Sequence, residues 1–191
     1  LLFGCKRGEE WDPNKVTITG DAPQIEWYNG YGTDREEHVH EGIETSDGGF
    51  LAIGHNSESS GQTTDMLVIK INGSGQEEWQ TLIGSAGEWD VGLAVLEVAD
   101  GYLAAGGLSV NGVQRSGLIQ LDFQGAERWR ETYHTDGNAG IRGLDHSADG
   151  NVVATGYQGT PDPGFVFIAD EGSGFLMEVD SSGAKLWEHD L

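Results

Sequence analysis

Short apolar runs alternate with glycine-rich polar turns along most of this chain. Phe50–Gly54, Tyr102–Ala105 and Val152–Thr155 are examples, and each closely follows an Asp-Gly pair. Runs of this length bounded by turn residues are typical of β-strands, and Asp-Gly is typical of the tight turns that join antiparallel strands. No segment keeps a 3.6-residue apolar period over ten or more positions, which disfavours helices. The pattern predicts an all-β chain of short antiparallel strands.

The same landmarks return at a nearly constant spacing, which indicates an internal repeat. Four tryptophans are spaced by 52, 50 and 58 residues: Trp27, Trp79, Trp129 and Trp187. One glycine follows each of the first three by 27 residues, and another precedes each of the last three by four: Gly54, Gly106 and Gly156, then Gly75, Gly125 and Gly183. A period of about 50 residues is typical of propellers and solenoids.

Each repeat is long enough for four strands. We predict Ile25–Tyr28, Val39–Thr45, Phe50–Gly54 and Met66–Ile71 in the first unit, with the same plan in the next two. Approximate units are residues 27–78, 79–128 and 129–186, and Lys185–Glu188 is predicted to open a fourth unit around position 187. A strand at Lys15–Thr19 is expected to complete a unit whose other strands this chain does not contain.

Four strands in about 50 residues are the plan of a β-propeller blade. The predicted fold is therefore a β-propeller of four-stranded antiparallel blades, with about three blades and partial flanking blades in residues 15–191. A ring takes roughly four to eight blades, so we expect the natural protein to continue past Leu191. Residues 1–14 are predicted to be an N-terminal tether.

Every repeat closes with a common motif that ends in tryptophan. Asn72, Asp122 or Asp180 precedes the second glycine by three residues and the tryptophan by seven. An Asp or Asn side chain can cap a turn, glycine can adopt positive φ, and an indole can bury a large surface between neighbouring blades.

This motif resembles the tryptophan-docking motif of quinoprotein-like propellers, although the copies here are one residue shorter between Asp or Asn and Gly. The rest of each unit is similar to propeller-like repeats of secreted and cell-surface bacterial and archaeal proteins. The resemblance covers residues 15–191 and implies a propeller fold. It implies no particular activity, because propellers host unrelated functions.

The first residues resemble the lipobox of bacterial lipoproteins. Leu2, Gly4 and Cys5 match that motif, while Phe3 is bulkier than its usual residue. The resemblance implies that Cys5 is acylated and tethers the protein to a membrane, so the expected location is the cell envelope or the extracellular space. The alternative is a chance free thiol, since one cysteine cannot form an internal disulfide.

Charge excludes some partners. The chain has 32 acidic and 10 basic residues and a formal net charge of −22. Such a surface repels phosphate backbones, so nucleic acid is not an expected partner, and the charge favours solubility in an extracellular or salt-exposed setting. No run of 18 apolar residues is present, so no transmembrane segment is predicted.

The third unit is longer than the others because of an insertion at residues 159–174. Loops added to a repeat often contact partners, so this segment is a possible partner loop. Its candidate residues are Asp162, Phe165, Phe167, Asp170 and Glu171. The three acidic residues could also hold a cation. The alternative is a long hairpin that packs on its neighbour.

Few residues suggest chemistry. His38 and His40 share one strand face near Glu36, Glu37 and Glu41, which could hold a metal. The other units lack these histidines, so a solvated strand entrance is the preferred interpretation, and His55, His134 and His146 are interpreted as surface residues. Four aspartates are expected to shape turns rather than bind calcium, because none alternates with other acidic residues: Asp47, Asp100, Asp149 and Asp180.

No catalytic residue and no cofactor is predicted, since the chain has no nucleophile elbow, P-loop or dinucleotide fingerprint. The leading hypothesis is a non-catalytic propeller, anchored to the envelope or secreted, that binds a protein or a glycan. The first alternative is a quinoprotein-like or glycoside-active enzyme with catalytic residues partly outside this chain. The second is a structural repeat of a larger adhesin.

Overall fold

A computed structural model describes residues 27–32, 35–57, 63–135, 137–162 and 165–191. These residues contain twelve β-strands. The strands are β1 (Glu37–Glu44), β2 (Phe50–Ser57), β3 (Thr64–Ile71), β4 (Glu77–Ile83), β5 (Val91–Val98), β6 (Gly101–Val110), β7 (Val113–Leu121), β8 (Glu127–Tyr133), β9 (Asn138–His146), β10 (Val152–Asp162), β11 (Phe165–Val179) and β12 (Lys185–Asp190). The described part of the chain has no helix that is long and apolar enough to cross a membrane.

The strands form three antiparallel sheets of four, each with its strands in chain order. Sheet 1 contains β1 to β4, sheet 2 contains β5 to β8, and sheet 3 contains β9 to β12. The all-β prediction and the grouping of antiparallel strands in fours are therefore confirmed. Apolar side chains alternate toward the interior because successive residues of a strand face opposite sides of the sheet.

The tryptophan strand is the last strand of each sheet. β12, with Trp187, pairs with β11, so the prediction that Lys185–Glu188 opens a fourth unit is wrong. The physical reason is the short turn before it, in which the Gly183 N–H donates to Asp180 O and turns the chain straight back onto β11. Residues 27–32 form no strand, so the predicted strand at Ile25–Tyr28 is wrong in its described part.

The first strand of every sheet is bulged opposite a recurring glycine. One residue of each first strand has no partner on the second strand. These bulge residues are His40 in β1, Leu93 in β5 and Arg142 in β9. A Cβ at Gly54 would lie 1.7 Å from His38 O, and one at Gly106 would lie 1.9 Å from Val91 O. These glycines, and Gly156 in sheet 3, are required because the bulged backbone approaches too closely for any side chain.

Neighbouring sheets pack face to face through two apolar cores. One core joins sheets 1 and 2, with Leu51, Ile53 and Met66 against Val95 and Ile119. The other joins sheets 2 and 3; its members include Leu103, Leu118, Ile141, Phe175 and Met177. β5 contacts β1, β2 and β3, and β9 contacts β5, β6 and β7, so the sheets are stacked in chain order.

Each tryptophan of the first three repeats packs on the closing turn of the sheet that follows it. Trp27 lies against Gly75, Trp79 against Gly125 and Trp129 against Gly183, closely enough that a Cβ on the glycine would lie 2.6–2.9 Å from an indole atom. Trp79 Nε1 also donates to Phe123 O at 3.0 Å. Trp187 differs: it is 37% exposed and donates to Glu178 of its own sheet.

The insertion of the third repeat lengthens a hairpin. β10 and β11 stay paired through Gly159↔Gly172 and Pro161↔Ala169 to Asp162↔Phe165. Thr160 Oγ1 donates to Glu171 O at 3.1 Å across this extension. The segment is thus a long hairpin, as the alternative interpretation expected, while packing of that hairpin on its neighbour stays a prediction. Of the possible partner residues, Asp162, Phe165, Phe167 and Asp170 have side chains outside the described part of the structure.

Candidate functional site

A cleft of about 650 Å³ lies between sheets 1 and 2, and we call it the first cleft. Sheet 1 contributes the β1–β2 turn and the ends of β3 and β4, while sheet 2 contributes β5, β6 and the β7–β8 turn. Its lining residues are Ser46, Asp47, Lys70, Glu78, Trp79, Glu97, Tyr102, Phe123 and Gln124. This volume lies within the usual range of small-molecule sites.

A buried lysine forms the floor of the first cleft. Lys70, near the end of β3, is only 1% exposed. Its Nζ forms ion pairs of 3.0 Å with Asp47 and with Glu78, and it donates to Ile71 O at 3.2 Å. An ammonium group is costly to bury unless it is paired and hydrogen-bonded, and here all three contacts are acceptors.

The protonation states of this group follow from those contacts. Burial alone would lower the pKa of Lys70, but its hydrogen bonds with Asp47 and Glu78 outweigh burial and raise that pKa above its ordinary value. The pKa of Asp47 falls to about 2 because Thr45, the Gly49 N–H and Lys70 all donate to the carboxylate. Both groups are therefore charged at neutral pH.

Three aromatic side chains line the first cleft: Trp79, Tyr102 and Phe123. Trp79 and Tyr102 have ring centroids 6.0 Å apart, and Phe123 meets the edge of Tyr102 at 5.4 Å. Phe123 is 42% exposed. Beside these side chains, the carboxylate of Glu97 accepts hydrogen bonds from Ser46 N at 2.7 Å and Ser46 Oγ at 2.6 Å.

The lining residues can therefore offer two things to a ligand. The aromatic faces can cover an apolar surface, and the carboxylates can accept hydrogen bonds from hydroxyl or amine groups. Lys70 is one positive charge among the carboxylates of Asp47, Glu78 and Glu97, so the cleft has a net negative charge. A ligand with hydrogen-bond donors or a positive charge fits this lining.

The equivalent space between sheets 2 and 3, which we call the second cleft, is smaller and has fewer aromatic side chains in its lining. It measures about 270 Å³ and is lined in part by Asp100, Gln120, Trp129, Val152 and Ser181. By the register of each sheet, Gln120 corresponds to Lys70, Val152 to Tyr102 and Ser181 to Phe123. Both clefts thus contain the tryptophan and the closing turn. Of the two, only the first also contains Tyr102, Phe123 and the buried Lys70.

The histidines of β1 have a partner that the sequence did not reveal. His55 on β2 pairs in register with His38, and its Nδ1 lies 3.1 Å from His40 Nε2. His55 is 9% exposed, so its interpretation as a surface residue is wrong. Its burial follows from its place on β2, an internal strand of sheet 1 between β1 and β3. The contact between His40 and His55 could have been predicted from the cross-strand register, in which Val39 pairs with Gly54 and His38 with His55.

His134 is partly buried, with its side chain only 6% exposed, contrary to its interpretation as a surface residue. Its ring stacks on Phe175 at 4.3 Å, its Nδ1 lies 2.9 Å from Ser116 Oγ, and its Nε2 lies 3.0 Å from Glu188 Oε1. This chain of Ser, His and Glu has the connectivity of a nucleophilic triad. Ser116 is 0% exposed, however, so its hydroxyl cannot meet a substrate. The three side chains connect β7, the end of β8 and β12.

The other sequence-based candidates fall into two groups. Asp180 caps its turn by accepting from the Ser182 and Ala184 N–H groups, and Asp47 accepts from Gly49 N, as expected for turn residues. His146 is exposed, as expected. Cys5 and the predicted strand at Lys15–Thr19 lie outside the described residues.

No protein-family model and no curated protein matches this chain. Among solved structures, it is similar to the crystal structure of a protein of unknown function from Bacteroides caccae, with 13% sequence identity and a TM-score of 0.44. The match covers 83% of this chain and 63% of that one, so the chain spans less than two thirds of the length of that protein. Similarity at this level carries no argument about function.

The first cleft predicts a specific acid dependence of stability. Because the pKa of Asp47 is about 2 in the folded protein and near 3.8 otherwise, its carboxylate stabilises the fold above about pH 4, and this contribution is lost as the pH falls toward 2. We expect Asp47→Asn to lower the melting temperature at pH 5 and to have a smaller effect at pH 2.5, measured by circular dichroism.

Asp149→Asn is the matched control, since Asp149 occupies the corresponding turn of sheet 3, where Glu178 stands at the position of Lys70. We expect this substitution to change the melting temperature less at pH 5. A difference between wild type and Asp47→Asn that stays constant from pH 5 to pH 2.5 would contradict the role assigned to the Asp47 carboxylate and its donors Thr45, Gly49 and Lys70.

Proposed function

We propose that this chain is a non-catalytic β-propeller binding module whose three sheets are consecutive blades. The stacking of sheets in chain order supports this arrangement, as does the packing of each tryptophan on the next closing turn. A further support is electrostatic: Arg142 on β9 lies near enough to His40 on β1 to contribute to lowering its pKa, after burial and His38. The first strands of sheets 1 and 3 thus approach each other, as the inner strands of a ring would.

The ligand site of this module is the first cleft. The observation that carries the proposal is the contrast between two clefts of one repeat, in which only the first combines a buried lysine, three aromatic side chains and surrounding carboxylates. Repeat proteins commonly keep a constant scaffold and vary the residues of one face for binding. The lining favours a glycan or a protein segment that offers hydroxyl or amine donors beside an apolar face.

We place the module in the cell envelope or outside the cell, anchored through Cys5. The support is the sequence Leu2-Phe3-Gly4-Cys5 and the net charge of −22. Mass spectrometry of the N-terminal peptide from membranes of the natural host tests this location. We expect acyl chains on Cys5, and an unmodified cysteine in a longer, uncleaved N-terminus would contradict the anchoring.

Binding is tested with the purified chain on one array of glycans, including amino sugars, and on one array of lysine- and arginine-containing peptides. We expect saturable binding to members of one array. Phe123→Ser should weaken it at least tenfold, because the exposed aromatic face is lost while the serine matches Ser181 of the next repeat and is compatible with the turn. Isothermal titration calorimetry with the best array ligand gives the dissociation constants.

Leu186→Ser is the control, because Leu186 is 51% exposed against 42% for Phe123 but lies on β12, away from the first cleft. We expect it to bind as wild type does. Equal binding by Phe123→Ser would exclude the first cleft as the ligand site. Conversion of a bound glycan to reducing sugar, abolished by one substitution, would replace the binding role with a catalytic one.

A further inference from the structure

Three histidine side chains form a cluster at the start of sheet 1, apart from the first cleft. His38 and His40 lie on β1, and His55 lies on β2. The ring centroids of His38 and His55 are 4.8 Å apart, and those of His40 and His55 are 5.3 Å apart. His40 stands at the β1 bulge and is exposed, whereas His55 on the neighbouring strand is buried.

We propose that His40 and His55 form a two-histidine site for a divalent transition-metal ion such as Zn²⁺ or Cu²⁺, with solvent in the remaining coordination positions. Imidazole nitrogen is a preferred ligand of both ions. This inference does not depend on the ligand proposed for the first cleft. Among the described residues no three His, Cys, Asp or Glu side chains form a metal-binding group, so two protein ligands are the complete set proposed.

The distance between the two nitrogens fits this role. His40 Nε2 and His55 Nδ1 lie 3.1 Å apart. Two nitrogens bound to one tetrahedral Zn²⁺ at about 2.0–2.1 Å are separated by roughly 3.3 Å, so a small rotation of the exposed His40 ring is sufficient. The ring hydrogen that lies between the two nitrogens moves to the other nitrogen of its own ring when the metal binds, and no net proton is released by neutral imidazoles.

Bulging of β1 makes the pair possible. His55 pairs with His38, and in a regular antiparallel ladder His40 would pair two residues further along β2. The bulge instead leaves His40 without a ladder partner, and its side chain contacts His55. Gly54 permits this bulge, because a side chain there would collide with His38 O. The corresponding bulge residues, Leu93 and Arg142, cannot supply an imidazole, so the site is specific to sheet 1.

The surroundings of both rings favour the neutral imidazole, which is the ligating form. Burial, His38 and His40 lower the pKa of His55 to about 4, with Glu36 opposing them. Burial, His38 and Arg142 lower the pKa of His40. The facing charged groups are thus His38 and Glu36 from the start of sheet 1 and Arg142 from β9, while β3 places the uncharged Met66 opposite His55.

The test is calorimetric titration of the whole chain with ZnCl₂ at pH 7.0. We expect saturable binding of one Zn²⁺ ion per chain. Binding of several ions with equal affinity would overturn the assignment to this pair.

His40→Gln and His55→Gln should each weaken Zn²⁺ binding at least tenfold, while His189→Gln on the exposed face of β12 should bind as wild type does. His40 is exposed at a bulge, so its substitution is compatible with folding and carries the test even if His55→Gln unfolds the chain. Zn²⁺ binding that is absent from wild type, or that His40→Gln leaves unchanged, would overturn the proposal and assign any bound ion to surface carboxylates.

Discussion

The fit of one indole against the closing turn of the next sheet is the contact on which the arrangement of this molecule depends. In each of the three turns a glycine adopts positive φ, at 79° for Gly75, 81° for Gly125 and 82° for Gly183. An Asp or Asn carboxamide or carboxylate oxygen holds that turn by accepting two backbone N–H groups. Because these hydrogen bonds hold the turn and its glycine has no Cβ, the indole of the preceding repeat can pack closely against the glycine.

The same contact is reinforced by hydrogen bonds to the glycine carbonyl. Thr81 Oγ1 donates to Gly125 O at 2.8 Å, and Tyr133 OH donates to Gly183 O at 2.6 Å. Asn29 and Tyr31 donate to Gly75 O in the first repeat. Donors placed two or four residues after the tryptophan therefore satisfy a carbonyl that the turn leaves unpaired, and the preceding repeat is fixed in orientation as well as in distance.

The candidate binding residues lie at positions where the three repeats carry different side chains on the same backbone. Lys70, Gln120 and Glu178 occupy one position of the three sheets, and each contacts polar groups of its own sheet. Only the lysine is accompanied by three aromatic side chains. Likewise, the bulge that places Leu93 in sheet 2 places His40 above His55 in sheet 1. The repeated backbone provides the position, and single side chains decide what each position can bind.

Much of the fold could be predicted from the sequence, because its signals are local. Asp-Gly pairs and the apolar runs after them indicated the turns and the second strand of each sheet, and the spacing of the tryptophans indicated the period of the repeat. The sheet to which each tryptophan strand belongs was not predicted, because the period is the same whether that strand pairs with the strand before it or opens the next sheet. The short turn before it, with Gly183 N–H donating to Asp180 O in the third repeat, decides for the preceding strand. The surroundings of His134 were missed for a related reason, because its partners Phe175 and Glu188 are distant in sequence. The burial of His55 was missed because it depends on the cross-strand register with β1.

The measurement that tests the docking contact most directly compares Trp79→Phe with Trp187→Phe by urea unfolding. Trp79 Nε1 donates to Phe123 O, and its ring packs on Gly125, whereas in the described part of the chain Trp187 is more than a third exposed and donates to Glu178 of its own sheet. We expect Trp79→Phe to lower the free energy of unfolding by about 1–3 kcal/mol, from the lost hydrogen bond and buried area. Trp187→Phe should change it by less than about 0.5 kcal/mol. Equal losses in the two variants would contradict the role assigned to the contact between the indole and the turn.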